Sequence, residues 1–215
     1  MVFALVLMGW IFSLSLHEFA HALVAYWGGD WTVREKGYLT LNPLRYTHPL
    51  YSLILPLLFL ILGGFGLPGG AVYIETWRLR NERWRSAVSL AGPLTNLLLA
   101  LFLALILKLF PQIGNKALGP SLAFLGMLQI TAFLLNILPI PPLDGFGIIE
   151  PYLPRPFLER LLPYRQAFFW IFLLALYYIP LLNGLFWTLV FLITTLIGIP
   201  PHLVLVGYDQ FFFWR

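Results

Sequence analysis

The first 29 residues form an apolar run that is long enough to cross a lipid bilayer, and this run constrains the fold more than any other feature of the chain. Within it, only His17, Glu18 and His21 have side chains expected to carry charge near neutral pH. The pattern predicts one helix from Val2 to Trp27 that stops at Gly28-Gly29. A charged group inside a membrane helix costs roughly 2.5–3.5 kcal/mol, so these three residues are functional candidates.

The three residues form the pattern H-E-x-x-H. Helix positions i and i+4 lie one above the other, about 6 Å apart along the axis, so the imidazoles of His17 and His21 can reach one metal ion. Glu18 lies about a quarter-turn round the helix, where it can act on a water at that metal. Because the rest of the span is uncharged, the sequence indicates a metal site rather than an accidental match.

The composition indicates an integral membrane protein. The 215 residues are 60% hydrophobic and 10% charged, whereas soluble domains have about 25% charged residues. The net charge of +4 comes from basic residues in short loops between apolar runs. That arrangement is typical of topology signals and argues against nucleic acid as a partner. The chain has no cysteine, so any metal must be bound by histidine and carboxylate.

The apolar runs predict an all-α polytopic membrane protein with about five full transmembrane helices plus one re-entrant helix/strand segment; six full spans are the alternative. Further spans are expected over residues 86–107 and 117–138 and twice within residues 166–208. Residues 49–74 either cross once or re-enter, since the glycines and prolines after Leu62 disfavour a continuing helix. The polar stretch before this segment, from Asp30 to His48, is expected to be a strand-like loop.

The distribution of basic residues favours the re-entrant alternative. If residues 49–74 cross fully, the 13 lysines and arginines divide eight to five between the two sides. If the segment re-enters, they divide eleven to two, which the positive-inside rule prefers. The two on the outer side are Lys108 and Lys116. This topology places the ends of the H-E-x-x-H helix and Asp144 at similar depth, toward the cytoplasmic side.

Asp144 is the candidate third metal ligand. A catalytic zinc needs three protein ligands and one open position, and Asp144 is the only carboxylate between residues 86 and 149. Three prolines precede it and predict a rigid, non-helical tip. The alternative for Asp144 is a simple Asp-Gly turn. Asn136 is either a buried interhelical amide or a donor to a substrate carbonyl, and Asn96 is expected to be an interhelical amide.

Three blocks in order resemble the site-2 protease family of intramembrane zinc metalloproteases. They are His17-Glu18-Phe19-Ala20-His21, Ala91-Gly92-Pro93, and Asn136-Ile137-Leu138-Pro139 leading to Leu143-Asp144-Gly145. The stretch Gly37-Tyr38-Leu39-Thr40-Leu41-Asn42-Pro43-Leu44 is similar to the compact prokaryotic branch of that family, which lacks PDZ and CBS domains. The resemblance covers roughly residues 10–150.

The resemblance implies cleavage of transmembrane segments of membrane-protein substrates within the bilayer of a prokaryotic plasma membrane. It implies that His17, His21 and Asp144 bind Zn2+, that Glu18 is the catalytic acid/base, and that Asn136 contacts the substrate backbone. Many members have Asp-Gly-Gly where this chain has Asp144-Gly145-Phe146. That difference concerns the backbone turn at Asp144 and not the role of Asp144 as a ligand.

Other functions remain possible at the level of sequence. A non-catalytic relative that binds membrane segments would not need Glu18, and a metal transporter would need a polar path that these spans do not offer. Residues 1–150 are expected to form the catalytic membrane core, and residues 151–215 a C-terminal helical pair with an interfacial tail. A substrate must unwind before cleavage, so we expect an exposed strand edge, within Gly66 to Ile74 or Trp31 to Leu41, to pair with it. The sequence predicts neither the substrate nor the oligomeric state.

Overall fold

The computed structural model describes residues 1–46, 58, 60, 61 and 72–214, and these are helices joined by turns, without a strand among them. Most of residues 49–74, and with them the choice between a full span and a re-entrant segment, lie outside the described residues. The helices are α1 (Val2–Gly28), α2 (Thr32–Glu35), α3 (Glu82–Leu109), α4 (Leu118–Asn136), α5 (Asp144–Ile149), α6 (Arg155–Leu161), α7 (Arg165–Tyr178), α8 (Pro180–Leu196) and α9 (Pro201–Phe211).

Three of these helices, α1, α3 and α4, are long and apolar enough to cross a membrane. Helix α1 ends at Gly29, whose φ of 118° is the left-handed conformation that glycine adopts at helix ends. Helix α3 begins at Glu82, four residues before the expected start, because the Asn81 side chain caps it by accepting a hydrogen bond from the Trp84 N–H. The predicted spans are therefore confirmed for these three helices, with small shifts at their ends.

Helix α4 is the centre of the bundle. Helices α1, α3, α8 and α9 pack around it, and most of its residues are buried. A buried hydrogen bond of 2.9 Å from Gln129 Nε2 to Ser13 Oγ joins α4 to α1. Gly9 of α1 faces Leu125 so closely that a Cβ would overlap the leucine side chain. Close helix contact through small residues and buried amides is how membrane helices associate without a hydrophobic driving force between them.

The C-terminal region differs from the expected pair of spans. Residues 165–211 form three helices. The stretch Arg155–Tyr178, which contains α6 and α7, meets α8 at an angle of 88° near Pro180. Pro180 cannot donate a backbone hydrogen bond, which ends the α7 hydrogen-bonding pattern there. The described residues thus contain three candidate spans, or up to four if this bent pair is one span. The number five stays a prediction.

The expected strand-like loop after α1 is wrong for the part that the structure describes. Residues Thr32–Glu35 form helix α2, and Pro43–Arg45 form a 3-10 turn. The Asp30 carboxylate causes the first turn, because it accepts hydrogen bonds from the backbone N–H and the hydroxyl of Thr32. The alternation of apolar residues from Trp31 to Leu41 therefore does not reflect a strand.

Candidate metal centre

Three side chains that are distant in sequence meet at one point. The Nε2 atoms of His17 and His21 lie 3.0 Å apart, and Oδ2 of Asp144 lies 3.3 Å from the first and 3.5 Å from the second. The two histidines are one turn apart on α1, and Asp144 is the first residue of α5. The histidines are almost fully buried, with 4% and 6% of their surface exposed.

The triangle formed by these three atoms fits a zinc ion. Nitrogen and oxygen ligands at 2.0–2.2 Å in tetrahedral geometry lie about 3.3 Å from one another. The three observed separations scatter around that value, and within the described part of the chain this is the group of three that could hold a metal ion. Two imidazoles and one carboxylate also leave a fourth position, as a catalytic zinc requires.

The second nitrogen of each imidazole has an acceptor that fixes its orientation. Nδ1 of His21 donates to the carbonyl oxygen of Val88 at 2.7 Å, and Nδ1 of His17 donates to Oδ1 of Asn96 at 3.3 Å. With the proton on Nδ1, each Nε2 presents its lone pair to the centre of the triangle. Asn96 is thus an interhelical amide as expected, but its partner is a candidate metal ligand.

Gly92 allows the approach of α3 to the histidines. A Cβ atom at this position would overlap Nε2 of both His17 and His21. Val88, Gly92 and Asn96 recur every four residues and therefore lie on one face of α3. This face supplies the hydrogen-bond acceptors of both imidazoles, and Gly92 leaves the space that their Nε2 atoms occupy. The four-residue spacing from Gly92 was a signal that could have identified Asn96 from the sequence.

Asp144 begins a helix, so the expected non-helical tip is wrong. After α4 ends at Asn136, the proline-containing stretch leads to Leu143, and Asp144 lies in the first turn of α5. A carboxylate is favourable there, because the N-terminus of a helix carries partial positive charge. At Gly145 a Cβ would overlap the carbonyl of Ile137 at the end of α4. Phe146 lies within α5 and has a negative φ, so this turn does not require the second glycine of the common family pattern.

Glu18 lies beside the triangle and is 4% exposed. Its Oε1 is 4.0 Å from Nε2 of His17, and its Oε2 accepts a hydrogen bond of 3.2 Å from the backbone N–H of Val72. Tyr46 is a nearby residue that the sequence analysis missed. Its buried hydroxyl lies 2.8 Å from the Ser15 carbonyl of α1, and burial together with the charge of Glu18 raises the pKa of Tyr46.

A cavity of about 430 Å³ surrounds these groups. Asn136, the last residue of α4, lines it and is 2% exposed. Its Nδ2 is buried and makes no hydrogen bond within the described part of the chain. Val72, Ile74 and Thr76 also line the cavity. Every sequence-predicted site residue therefore lies at this one cavity.

The fold and the site together define a class of protein. A His₂Asp ligand set with a glutamate beside it, buried among helices that can cross a bilayer, is the arrangement of a membrane-embedded zinc metallopeptidase. Residues 2–119 match the model of Peptidase family M50. The chain belongs to this family, and it is an integral membrane zinc metalloprotease.

Proteins of three organisms that are named as zinc metalloproteases are similar in sequence to most of this chain. Rip2 of Mycobacterium tuberculosis, which is named as a zinc metalloprotease, is 47% identical over 99% of this chain and 82% of its own length. Rip2 of Mycolicibacterium smegmatis is 46% identical over the same shares. YwhC of Bacillus subtilis, also named as a zinc metalloprotease, is 33% identical over 82% of this chain and 81% of its own length. No solved structure shows significant similarity to the chain.

Proposed function

We propose that this metalloprotease hydrolyses peptide bonds in transmembrane segments of membrane proteins. The observation that carries the proposal is the position of the ligand triangle. His17 and His21 lie in the second half of α1, which is long and apolar enough to span a membrane, and they are buried against α3, a second such helix. A metal site at this depth is within reach of a peptide bond in a membrane segment.

In this proposal, His17 and His21 hold zinc through Nε2 and Asp144 through Oδ2. When bound, zinc supplies Lewis acidity, which activates water and polarises the scissile carbonyl. Glu18 accepts a proton at its carboxylate as water adds to the carbonyl carbon. It then delivers that proton to the leaving nitrogen as the C–N bond breaks, which yields a carboxylate and an amine.

Asn136 is proposed to bind the substrate backbone. Its Nδ2 is a buried donor in the cavity, without a partner among the described residues. A buried donor without a partner costs about 1–3 kcal/mol, and a substrate carbonyl would remove that cost. Asn136 would thereby favour the extended substrate conformation that cleavage requires.

Residues 72–74, the described end of the expected edge, are proposed to pair with the unwound substrate. Val72 and Ile74, which alternate in a non-helical stretch, both line the cavity. The N–H groups of Tyr73 and Ile74 have no acceptor within the described ranges. A substrate strand could supply one. The remainder of the expected edge, residues 66–71, lies outside the described residues.

The proposed side of the membrane is the cytoplasmic one, with residues 1–150 as the catalytic core and residues 151–215 as the C-terminal part of the same membrane domain. The uneven distribution of lysine and arginine supports this orientation. The chain has no cysteine, so single-cysteine variants report topology directly. In intact cells, an impermeant maleimide should label Lys108→Cys and leave Arg34→Cys unlabelled. The reverse pattern would contradict the orientation.

A cleavage assay tests the function. Purified protein and its Glu18→Gln variant are incubated with transmembrane reporters that contain helix-destabilising residues, and zinc is measured in both preparations. Cleavage by the wild type alone, with zinc in both, supports the proposal. Zinc without cleavage would favour a binding protein for membrane segments, and zinc-dependent ion flux in liposomes without cleavage would favour a transporter.

A further inference from the structure

The segment that carries Val72 forms two hydrogen bonds with the end of α1. The N–H of Arg80 donates to the Gly28 carbonyl at 2.9 Å, and the N–H of Glu75 donates to Oδ2 of Asp30 at 2.7 Å. Asp30 follows directly after the glycine that ends α1. Residues 75–80 therefore complete the end of the helix that carries the candidate metal ligands.

Of these two hydrogen bonds, the one to Asp30 requires the more specific side chain. Asp30 is fully buried, and its carboxylate has no lysine or arginine partner in the part of the chain that the structure describes. It is satisfied instead by three hydrogen bonds. Oδ1 accepts from the Thr32 N–H at 3.1 Å and from the Thr32 hydroxyl at 2.6 Å, and Oδ2 accepts from Glu75. A buried carboxylate requires such partners, so the geometry around Asp30 is specific.

Three residues before Glu75, the N–H of Val72 donates to Oε2 of Glu18. Residues 72–75 are not helical, and three residues span at most about 10 Å. When one end of a segment this short is fixed, the positions that its other end can reach are limited. The bond at Glu75 therefore restricts where the Val72 N–H can lie, and this N–H donates to one carboxylate oxygen of Glu18.

We propose that Asp30 is a positioning residue for catalysis, which orients the Glu18 carboxylate through the backbone of residues 72–75. With Oε2 held by Val72, Oε1 is the atom that faces His17 and the reacting groups. The inference rests on the proposed role of Glu18 as acid/base. It adds a residue that touches neither metal nor substrate.

The Glu75 side chain has a separate role. Its Oε1 lies 2.9 Å from Lys36 Nζ and its Oε2 lies 2.6 Å from Arg78 Nε, and it does not line the cavity. These ion pairs are partly exposed, with 19–27% of each side chain accessible, and solvent screening limits their contribution. The backbone N–H of Glu75 should thus matter more for the reaction than its carboxylate. Two substitutions distinguish the effect of the N–H from that of the carboxylate.

Glu75→Pro and Glu75→Ala form the matched pair. Both substitutions remove the ion pairs, but only proline removes the backbone N–H that donates a hydrogen bond to Asp30. The φ angle of Glu75 is −85°, close to the value that proline requires. We expect kcat of Glu75→Pro to be about 10- to 100-fold below that of Glu75→Ala, with similar KM and zinc content, because small displacements of a catalytic group have effects of this size. Equal kcat values in the two variants would overturn the proposal.

A double-mutant cycle and hydrogen exchange distinguish positioning from general destabilisation. Asp30→Asn places an N–H₂ group or a weaker acceptor opposite Glu75, and Val72→Pro removes the donor to Glu18. If Asp30 acts through Val72, the double variant is no slower than Val72→Pro alone; independent, multiplying losses would contradict the proposal. Amide exchange over residues 72–76 should be faster in Asp30→Asn, and unchanged exchange would also overturn it.

These results are separable from the fate of the proposed function. A wild type that contains zinc and cleaves no reporter would refute the protease activity, and the role in catalysis with it. A wild type that cleaves, an inactive Glu18→Gln and a fully active Asp30→Asn would refute the positioning role alone.

Discussion

Gly92 lies so close to His17 that a single Cβ atom on the glycine would overlap Nε2 of the imidazole. The same atom would overlap Nε2 of His21. These two nitrogens are the candidate metal-binding atoms, and they lie 3.0 Å apart. The absence of a side chain at one position of α3 is thus a condition for the ligand geometry on α1.

We expect Gly92→Ala to lower zinc affinity by more than tenfold, because the imidazoles must rotate away from the metal position. Gly184→Ala is the matched control. Gly184 also lies within a helix, and a Cβ there would meet no atom within 4 Å. Alanine is the better helix former, so the control should bind zinc normally and unfold at the same or a higher temperature. Zinc content measured after dialysis against a weak chelator distinguishes them, and equal retention would contradict the prediction.

Asn96 is expected to tune the metal site through His17. Replacing it by leucine removes the acceptor for Nδ1, and loss of such a partner typically costs 10- to 100-fold in metal affinity. Asn96→Asp keeps an acceptor oxygen at the same position and should retain zinc. Competition titration with a fluorescent chelator measures both variants. If leucine and aspartate behave alike, the hydrogen bond of 3.3 Å does not orient His17.

The parts of the molecule that follow from local pattern were predicted well from the sequence. The three long helices depend on apolar length, and the close approach of His17 to His21 depends on i, i+4 spacing; a sequence displays both features directly. The helical turn at Thr32 was missed because one carboxylate, Asp30, overrides the apolar alternation around it. The link from Val72 to Glu18 could not be foreseen, since it joins residues 54 positions apart through a backbone N–H.

Glu75 should make stability depend on pH in a defined direction. Its hydrogen bonds with Arg78 and Lys36 lower the pKa of its carboxyl from 4.5 to about 2. A lowered pKa in the folded state stabilises above pH 4.5, and the contribution is lost as the pH falls toward 2. Thermal unfolding of wild type and Glu75→Gln should therefore differ at pH 7 and converge toward pH 3. Because the Glu75 side chain is partly exposed and solvent screens its ion pairs, we expect a small difference. A gap that widens in acid would contradict the assignment.

Metal removal should abolish cleavage and lower stability together. A ligand that binds only the folded state stabilises it by about 2.7 kcal/mol at 100 times its dissociation constant. Chelator-treated protein should thus unfold at a lower temperature and recover both properties when zinc is added. Asp144→Ala, which lacks one corner of the triangle, should show no response to zinc in either measurement. A response of normal size in that variant would exclude Asp144 as a ligand.

Asn136 is expected to show opposite effects on stability and on activity. Its Nδ2 is buried without a hydrogen-bond partner among the described residues, so leucine, which is branched at Cγ in the same way but has no polar atom, removes an unfavourable buried donor. Asn136→Leu should therefore unfold at the same or a higher temperature than the wild type and retain zinc. Its kcat/KM should fall because a donor to the substrate backbone is lost, by at most the roughly 100- to 1,000-fold that removing a donor to the reacting carbonyl costs. Loss of stability and activity in parallel would indicate that the amide supports the fold instead. Asn96→Leu provides the contrast, since that substitution should release zinc.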